Sequence, residues 1–328
     1  MHASAAHGWT VATIDVLGLG SVAVDDLLFL NEFPRPDSKM AILRHERHAG
    51  GLAGTAIVAA RRMGCACAYA GTLGADELSR FIIDRFSAEG VSVEHLVRRE
   101  GARPFHSTIL VDTRATTRTI LFDADNVMGA DPTRPDEAVI RSSRVLLVDH
   151  VGLEGMVRAA RIARAAGIPV VADLEREPGP LFADLLDLAD HLILPFDFAR
   201  RISGGADGPG IARALWREDR AAVVITQSAQ GAWYLSSEEP GTVYHQPAFA
   251  VKEVDTNGCG DVFHGVYAAG LVKGTPAAER IRFAAAVAAC KATGPGGQKG
   301  IPFRDEVERF YHEREGEAVR APISEARE

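Results

Sequence analysis

Cysteine is scarce: Cys65, Cys67, Cys259 and Cys290 are four in 328 residues. Their spacing makes neither a C-x-x-C pair nor a disulfide framework, which excludes a disulfide-stapled scaffold and fits a reducing cytoplasm. Cys65 and Cys67 lie in an apolar stretch and are expected to point into a core. There is no long basic run, and the net charge is −8. No nucleic-acid partner is expected, because phosphate-backbone binding needs a basic face. No apolar run approaches the length of a bilayer span, so no membrane partner is expected either. Residues 1–13 lack a positive leading segment and a sustained apolar core, so they read as a loose leader rather than a signal peptide. No Gly-Lys-Ser or Gly-Lys-Thr occurs, which excludes a P-loop. No His-Arg-Asp occurs, which excludes the catalytic loop of protein kinases. His45 and His48 have an H-x-x-H spacing without a third ligand near them, and read as part of a charged surface segment.

What is present is an alternation of strand-like and helix-like stretches. A first strand at 14–20 ends in Gly18-Leu19-Gly20. A helix over 53–63 follows Gly50-Gly51. Strand 66–72, helix 76–89 and a short strand at 91–97 come next. After residue 144 the strands are 145–149, 168–173, 191–194, 222–226 and 232–235, and the helices 154–166, 181–188 and 211–217. An Ala-rich helix spans 277–293 and a last helix 305–315. Alternating β and α implies a doubly wound, mostly parallel sheet with helices on both faces. Two stretches break the pattern: 22–48, and a hairpin of strands 105–112 and 118–123. They are expected to form a small β lid standing off the main sheet. The domain reading is therefore 14–21, 49–103 and 126–315 for the main α/β body, 22–48 and 104–125 for the lid, and tails at 1–13 and 316–328.

Ligands in such sheets bind beyond the carboxyl ends of the strands. The glycine turns at 50–51, 258–260 and 294–297, and the polar turn 227–231, can gather there. Most informative is Asp255-Thr256-Asn257-Gly258-Cys259-Gly260-Asp261. It follows a β-rich run at 249–254 and opens the apolar stretch 262–272. Glycines flanking Cys259 let the backbone tighten against a ligand. The first N–H groups of the following helix lack intrahelical partners and favour an anion. Asp261 stands at the mouth of that site, where a carboxylate takes a proton from an attacking hydroxyl. A helix cap after a glycine turn is the structural alternative. Gly18, Gly20 and Ala23 also match the dinucleotide fingerprint G-x-G-x-x-A, but residues 22–30 read as strand rather than helix, so an NAD-dependent dehydrogenase is a weak reading.

The stretch from Asp255 to Gly265 resembles the D-T-x-G-A-G-D-x-F-x-x-G signature of the ribokinase/phosphofructokinase-B sugar kinases, with Cys259 in place of Ala. Gly20-Ser21 to Asp26 resembles that family's G-S-x-x-x-D strand. Gly50-Gly51-Leu52-Ala53-Gly54-Thr55 resembles its G-G-x-x-x-N helix entry, with Thr55 for Asn, and Gly71 to Asp76 its G-x-x-G-x-D turn. The resemblance runs from about residue 14 to 310. It implies a ribokinase-like fold and transfer of the γ-phosphate of ATP to a hydroxymethyl group of a ketose or related sugar. It makes Asp261 the base, and the N–H groups of Gly258, Cys259 and Gly260 the anion hole. Asp25, Gly50, Gly51 and Thr55 would hold sugar hydroxyls. Thr226, Gly231, Thr256, Cys290 and Gly294 would border the nucleotide. Mg2+ is implied as cofactor, with K+ as candidate monovalent cation near Asp255. The family's usual N-x-x-E acid is missing, and Asp197 in Pro195-Phe196-Asp197-Phe198 is its nearest replacement. Lid sheets of this family often pair between subunits, which implies a homodimer, and the location implied is cytoplasmic.

Within the family the C-terminal third looks most like bacterial 6-deoxy-6-sulfofructose kinases. That would make Lys39 a sulfonate ligand, but the positions for its companions fall near Phe122 and Val151, which cannot bind an anion through their side chains. Arg103, His106 and Arg118 are further candidates for an acidic substituent. A nucleoside kinase, with Phe105 and Phe122 as base slot, and a non-catalytic sugar- or nucleotide-binding protein are the other readings. Cys259, at a helix N-terminus, is expected to have a lowered thiol pKa and to be sensitive to thiol reagents.

Overall fold

The structure is a computed structural model that describes residues 14–115 and 117–323. The leader at 1–13 lies outside the described residues. The chain opens with β1 (Ile14–Gly18), β2 (Ala23–Leu30) and β3 (Arg44–Gly50). Helix α1 (Leu52–Arg62) follows, then β4 (Cys67–Tyr69), β5 (Thr72–Leu73), α2 (Glu77–Glu89) and β6 (Val97–Arg98). Strands β7 (Phe105–Asp112) and β8 (Thr117–Asp123) form a hairpin. Next come α3 (Glu137–Arg141), β9 (Ser143–Val148), α4 (Leu153–Ala165), β10 (Val170–Asp173) and α5 (Phe182–Leu188). They lead to β11 (His191–Pro195), α6 (Phe196–Ser203), α7 (Gly208–Leu215), β12 (Ala222–Thr226), β13 (Ala232–Ser236) and β14 (Tyr244–Gln246). The chain closes with α8 (Cys259–Val272), α9 (Ala277–Ala292), α10 (Arg304–Glu313) and β15 (Ala321–Pro322).

Nine strands make the main sheet in the order β15-β14-β13-β12-β11-β10-β9-β1-β4. From β12 to β4 every pairing is parallel, and β13, β14 and β15 add antiparallel at one edge. Its inner strands are near-continuous apolar runs because both faces are covered. Side chains alternate between two cores. Val16, Leu147, Val171, Ile193 and Val224 join the core that contains α1, α8 and α9 residues. Leu17, Leu146, Val170, Leu192 and Val223 join the core with α4 and α7 residues. This is the doubly wound arrangement that the alternation implied.

A second sheet stands apart, in the order β3-β2-β7-β8, and is built from the two stretches that interrupt the alternation. After Gly18 the chain runs into β2 rather than a helix, so the dinucleotide fingerprint has no helix to open. Three local expectations change. Residues 196–203 form α6, which was not anticipated. The strand expected at 91–97 is reduced to Val97–Arg98 and a single bridge from Ser92 to Ala68. The end of the expected polar tail supplies β15, tied by a bidentate ion pair of Arg320 with Glu239.

Helix α8 is apolar all round and buried along most of its length, as a central helix must be. It packs against α1 so closely that a Cβ on Gly265 would lie 1.9 Å from the Ala56 carbonyl oxygen. A Cβ on Gly260, one turn earlier, would meet nothing within 4 Å. Gly265→Ala should therefore cost about 1–3 kcal/mol or more of stability, as overpacking does. Gly260→Ala should be neutral, or stabilising by up to about 1 kcal/mol, since it exchanges Gly for a better helix former. Urea denaturation of both variants checks the contrast.

Candidate active site

The carboxyl ends of β1, β9, β10, β11 and β12 share one edge of the main sheet, and the N-termini of α1 and α8 meet there. A Cβ on Gly258 would come 3.4 Å from Thr55 Cγ2, 3.5 Å from Gly297 Cα and 3.6 Å from Asp261 Oδ2. Gly258 caps α8 with φ of 80°, a left-handed conformation that favours glycine. No side chain caps α8. The N–H of Cys259 donates to the Thr256 carbonyl at 3.2 Å. Gly260 faces open space, and Asp261 sits in the first turn, half-buried.

The loop before α8 is held by Asp255. Its Oδ1 accepts from the Asn257 N–H at 2.9 Å and from Arg118 of β8 at 3.1 Å. Its Oδ2 accepts from the Gly296 N–H at 2.9 Å. The expected strand at 249–254 is absent. The N–H groups of Val254 and Asp255 instead both donate to the Ala292 carbonyl at the end of α9, at 2.7 and 3.1 Å. That carbonyl has no intrahelical partner, so it takes donors that a sheet would otherwise use.

Behind Asp261 lie further carboxyls. Asp149 is fully buried after β9 and is held by the Ser21 N–H and Oγ at 2.6 and 2.8 Å and by the Val151 N–H at 2.8 Å. Gly20 makes room for it, since a Cβ there would lie 2.3 Å from its Oδ2. Asp173, the last residue of β10, is also buried, and its Oδ2 has no hydrogen-bond partner among the described residues. It lies 3.2 Å from His264 Nδ1. His264, one turn into α8, directs Nδ1 to the Gly260 carbonyl at 2.8 Å and Nε2 to the Ile193 carbonyl at 3.0 Å. Burial pushes His264 down, and the two carbonyls act the other way. Burial raises the pKa of Asp261 well above the usual carboxylate range, helped by the charges of Asp173, Glu175 and Asp149. Asp173 is raised likewise, by burial and by Glu175 and Asp149.

A polar rim faces this helix from the second sheet and the 296–298 turn. Neighbouring residues of a strand point to opposite faces, and β2 uses this to separate two carboxylates. Asp26 is neutralised by Arg47 (2.7 and 2.9 Å), His106 (2.9 Å) and His45 (3.2 Å). Asp25 points the other way, next to Gly50, where a Cβ would lie 3.0 Å from its Oδ2. Burial raises the pKa of Asp25, opposed by a hydrogen bond with Ser107 and by His48. Gly51, with φ of 89°, lets the chain pass so close to β2 that a Cβ would lie 2.4 Å from Val22 Cα. Buried Gln298 Nε2 and His48 Nδ1 have no partners among the described residues. They sit where Cβ atoms on Gly54 and Gly296 would lie 3.4 and 2.5 Å away. Asn257 Nδ2 faces Gly297. His48, expected in a charged surface segment, instead buries its Nδ1 here, and Gln298, Asn257 and His264 carried no sequence-based role. The signal available for His264 was its place one turn after Asp261.

The residues expected along the nucleotide line one side of this edge. Thr226 ends β12, with its hydroxyl 3.4 Å from the Leu194 carbonyl. Gly231 (φ 91°) packs its Cα against the Gln246 carbonyl, where a Cβ would clash at 2.1 Å. Thr256 is exposed, and Cys290 and Gly294 are half-buried at the end of α9. For a divalent ion, the described residues hold no cluster of three metal-ligating side chains. The carboxylate oxygens of Asp173 and Asp261 are of the donor type that suits Mg2+, which keeps several waters and takes most other ligands from phosphates.

Four sequence expectations need correction or relocation. Asp197 does not replace the missing N-x-x-E acid: its side chain is 89% exposed on α6 and pairs with Arg200. The Cys259 thiol is not activated. Burial pushes it up to about 11, which Lys291 only partly opposes, and Sγ lies 3.5 Å from the Ala288 carbonyl. Arg103, His106 and Arg118 are engaged by Asp123, Asp26 and Asp255. Lys39 lies on an exposed loop. A wide cavity of about 930 Å³ between residues 74–80 and 98–103 has Arg103 in its lining. Its Arg80 and Arg98 bind backbone carbonyls, and its Arg99 binds Asp131.

A family model for pfkB family carbohydrate kinases matches residues 14–304. The chain is 24% identical over 305 residues to a bifunctional ribokinase/ribose-5-phosphate isomerase A from Fructilactobacillus sanfranciscensis; the match covers 89% of this chain and about half, 55%, of that protein. It is 24% identical over 319 residues to a 5-dehydro-2-deoxygluconokinase from Shouchella clausii, covering 91% of this chain and 96% of that one. The crystal structure of ribokinase from Thermotoga maritima superposes with a TM-score of 0.78 at 22% identity, covering 91% and 99% of the two chains, and shares the fold.

The crowded carboxyls predict a pH-dependent cost. A carboxyl whose folded-state pKa is raised keeps its proton in the folded protein after the unfolded chain has lost it. Stability therefore falls as pH climbs above the ordinary value of 3.8. Asp261→Asn and Asp173→Asn should each raise the melting temperature in mildly alkaline buffer. The gain should shrink as pH falls toward the carboxylate range, in melts recorded across pH.

Proposed function

This chain belongs to the pfkB family of carbohydrate kinases, and from that membership we propose that it transfers the γ-phosphoryl group of ATP to a hydroxymethyl oxygen of a ketose or related sugar. The observation that carries this reading is the placement of Asp261 in the first turn of α8, beside an uncapped glycine N-terminus and opposite the sugar-side rim of Asp25, Thr55 and Gly297.

Phosphoryl transfer needs alignment and charge neutralisation more than covalent help. Asp261 takes the proton of the substrate hydroxyl as that oxygen bonds to the γ-phosphorus. The bond from phosphorus to the bridging oxygen breaks, and ADP leaves with its electron pair. The N–H groups of Gly258 and Gly260 face the charge spread over the phosphoryl oxygens, and that of Cys259 would join them on leaving the Thr256 carbonyl. The dipoles of the first two are fixed before the reaction, so they cost no reorganisation. The carboxylates of Asp173 and Asp261 would hold Mg2+ arriving with the triphosphate, and its positive charge would favour the ionised form of Asp261 that a base needs.

Asp25, Gly50, Gly51 and Thr55 hold sugar hydroxyls; His48 and Gln298 join them through Nδ1 and Nε2, which have no partners among the described residues, and Asn257 through the Nδ2 that faces Gly297. Thr226, Gly231, Thr256, Cys290 and Gly294 border the nucleotide. With Arg103, His106 and Arg118 each engaged by a carboxylate, a neutral sugar is favoured over a sulfosugar or sugar acid. The sheet of β2, β3, β7 and β8 acts as the lid, and Arg118 reaching Asp255 is the contact that would close it. Strand β8 is an edge strand with Ile120, Leu121 and Phe122 exposed, which suits a homodimer formed through the lid. No helix among the described residues is long and apolar enough to cross a membrane.

Asp261→Asn should lower kcat by about 10²–10⁴-fold, as loss of a general base does, with the fold intact. Near-normal turnover by that variant in a coupled ADP-release assay would falsify the assignment of the base. Asp25→Ala should chiefly raise KM for the sugar, measured on a panel of ketoses, sugar acids, sulfosugars and nucleosides. In sedimentation velocity, replacing Leu121 and Phe122 by Glu should shift the species toward monomer. An unchanged sedimentation coefficient would remove the lid from the interface.

A further inference from the structure

Lys291, in the last turn of α9, has no exposed surface. Its Nζ donates to the backbone carbonyl of Asp255 at 2.7 Å, and no carboxylate among the described residues forms an ion pair with it. A buried ammonium without a paired carboxylate is expensive, so its position calls for a reason. It stands beneath the loop that turns into α8: Asp255 is three residues before Gly258. Burial pushes its pKa down, while Cys259, Asp255 and Asp261 act the other way and Arg118 adds to the burial effect.

The monovalent cation expected near Asp255 does not fit the same place. A bound cation needs oxygen lone pairs turned toward it. Asp255 Oδ1 is turned toward the Asn257 N–H and the Arg118 guanidinium, Oδ2 toward the Gly296 N–H, and the backbone oxygen toward Lys291 Nζ. A potassium ion there would face donor hydrogens and two fixed positive charges. An ammonium is a compact point charge with three donors and occupies the place through a covalent tether.

We propose that the Lys291 ammonium is the built-in cation of the 255–258 loop, and that this chain needs no exchangeable monovalent cation. It rests on the reading that the N-terminus of α8 receives the phosphoryl group. The ammonium neutralises the carbonyl side of the loop, so that the N–H side stays aimed at the anion, and its charge adds to that of the helix terminus. Lys291 does not touch substrate in this account. It is a positioning residue acting through the backbone.

The test uses the full-length protein at constant ionic strength, with potassium, sodium or tetramethylammonium as the monovalent cation. Two quantities are read: kcat with ATP and the best sugar of the panel, and the thermal shift induced by ADP. For the unaltered chain both should be the same in all three salts. Lys291→Met, which keeps volume and loses charge, should lower kcat by about 10²-fold, the size of effect seen when one electrostatic element of an anion hole is removed. Lys291→Ala, which leaves a gap, should recover part of the loss with potassium or methylammonium but not with tetramethylammonium. A comparable loss of rate or of ADP shift when tetramethylammonium replaces potassium on the unaltered chain would overturn the proposal. So would a Lys291→Met variant with full activity in tetramethylammonium. If the Lys291 variants fail to fold, the salt exchange on the unaltered chain decides alone. An active Asp261→Asn would sink the base assignment yet leave the ADP-shift arm readable, so the two failures are distinguishable.

Discussion

Asp255 binds four parts of the chain through three oxygen atoms. Its carboxylate holds the turn at Asn257, the glycine turn at Gly296 and the Arg118 guanidinium of the second sheet, while its carbonyl oxygen receives Lys291 from α9. Each contact pairs an acidic or carbonyl oxygen with a donor in a partly buried setting, where a hydrogen bond to a charged group is stronger than in water. Once these contacts are made, the path of residues 255–258 leaves little freedom. The N-terminus of α8 then has a defined direction relative to the second sheet, the turn before α10 and the end of α9.

That arrangement carries a cost in like charges. Asp149, Asp173 and Asp261 converge on one edge of the sheet, and burial raises all three. Only Asp149 is fully served by the chain, through Ser21 and Val151. Asp173 keeps an oxygen with no hydrogen-bond partner among the described residues, and Asp261 opens toward the cleft. Buried polar groups are normally paired, and unpaired ones gather where a ligand completes them. The stability lost in the carboxyl cluster is thus tied to the groups proposed to carry phosphoryl transfer.

The second sheet shows the opposite economy. Asp26 on one face of β2 is saturated by an arginine and two histidines, which pins β2, β3 and β7 together. Asp25 on the other face is left for the cleft. A one-residue slip in register would exchange the two, so the pairing of Asp25 with His48 and of Asp26 with Arg47 fixes which carboxylate each face carries.

Local pattern determined much of this protein. The apolar runs at 145–148, 170–173, 191–194 and 222–226, each spaced by a helix-length segment, dictate a parallel sheet covered on both faces. The interruptions at 22–48 and 104–125 mark the second sheet, because two-residue periodicity and turn residues are local properties. The glycine turns at 50–51 and 258–260 were legible as helix entries, borne out by α1 and α8, because backbone freedom and helix ends are written in a few adjacent residues. Helix α6 escaped because its eight residues begin immediately after β11, with a proline at the junction and no loop to announce it. Pairing, burial and charge were decided only by the tertiary structure. Nothing near residue 291 in the chain says that its ammonium lies on Asp255, 36 residues away, or that Cys259 is buried enough to lose its acidity. Nor does anything near 197 say that its carboxylate faces solvent. These depend on which surfaces come together, and hence on dielectric and partners, which sequence neighbours do not set.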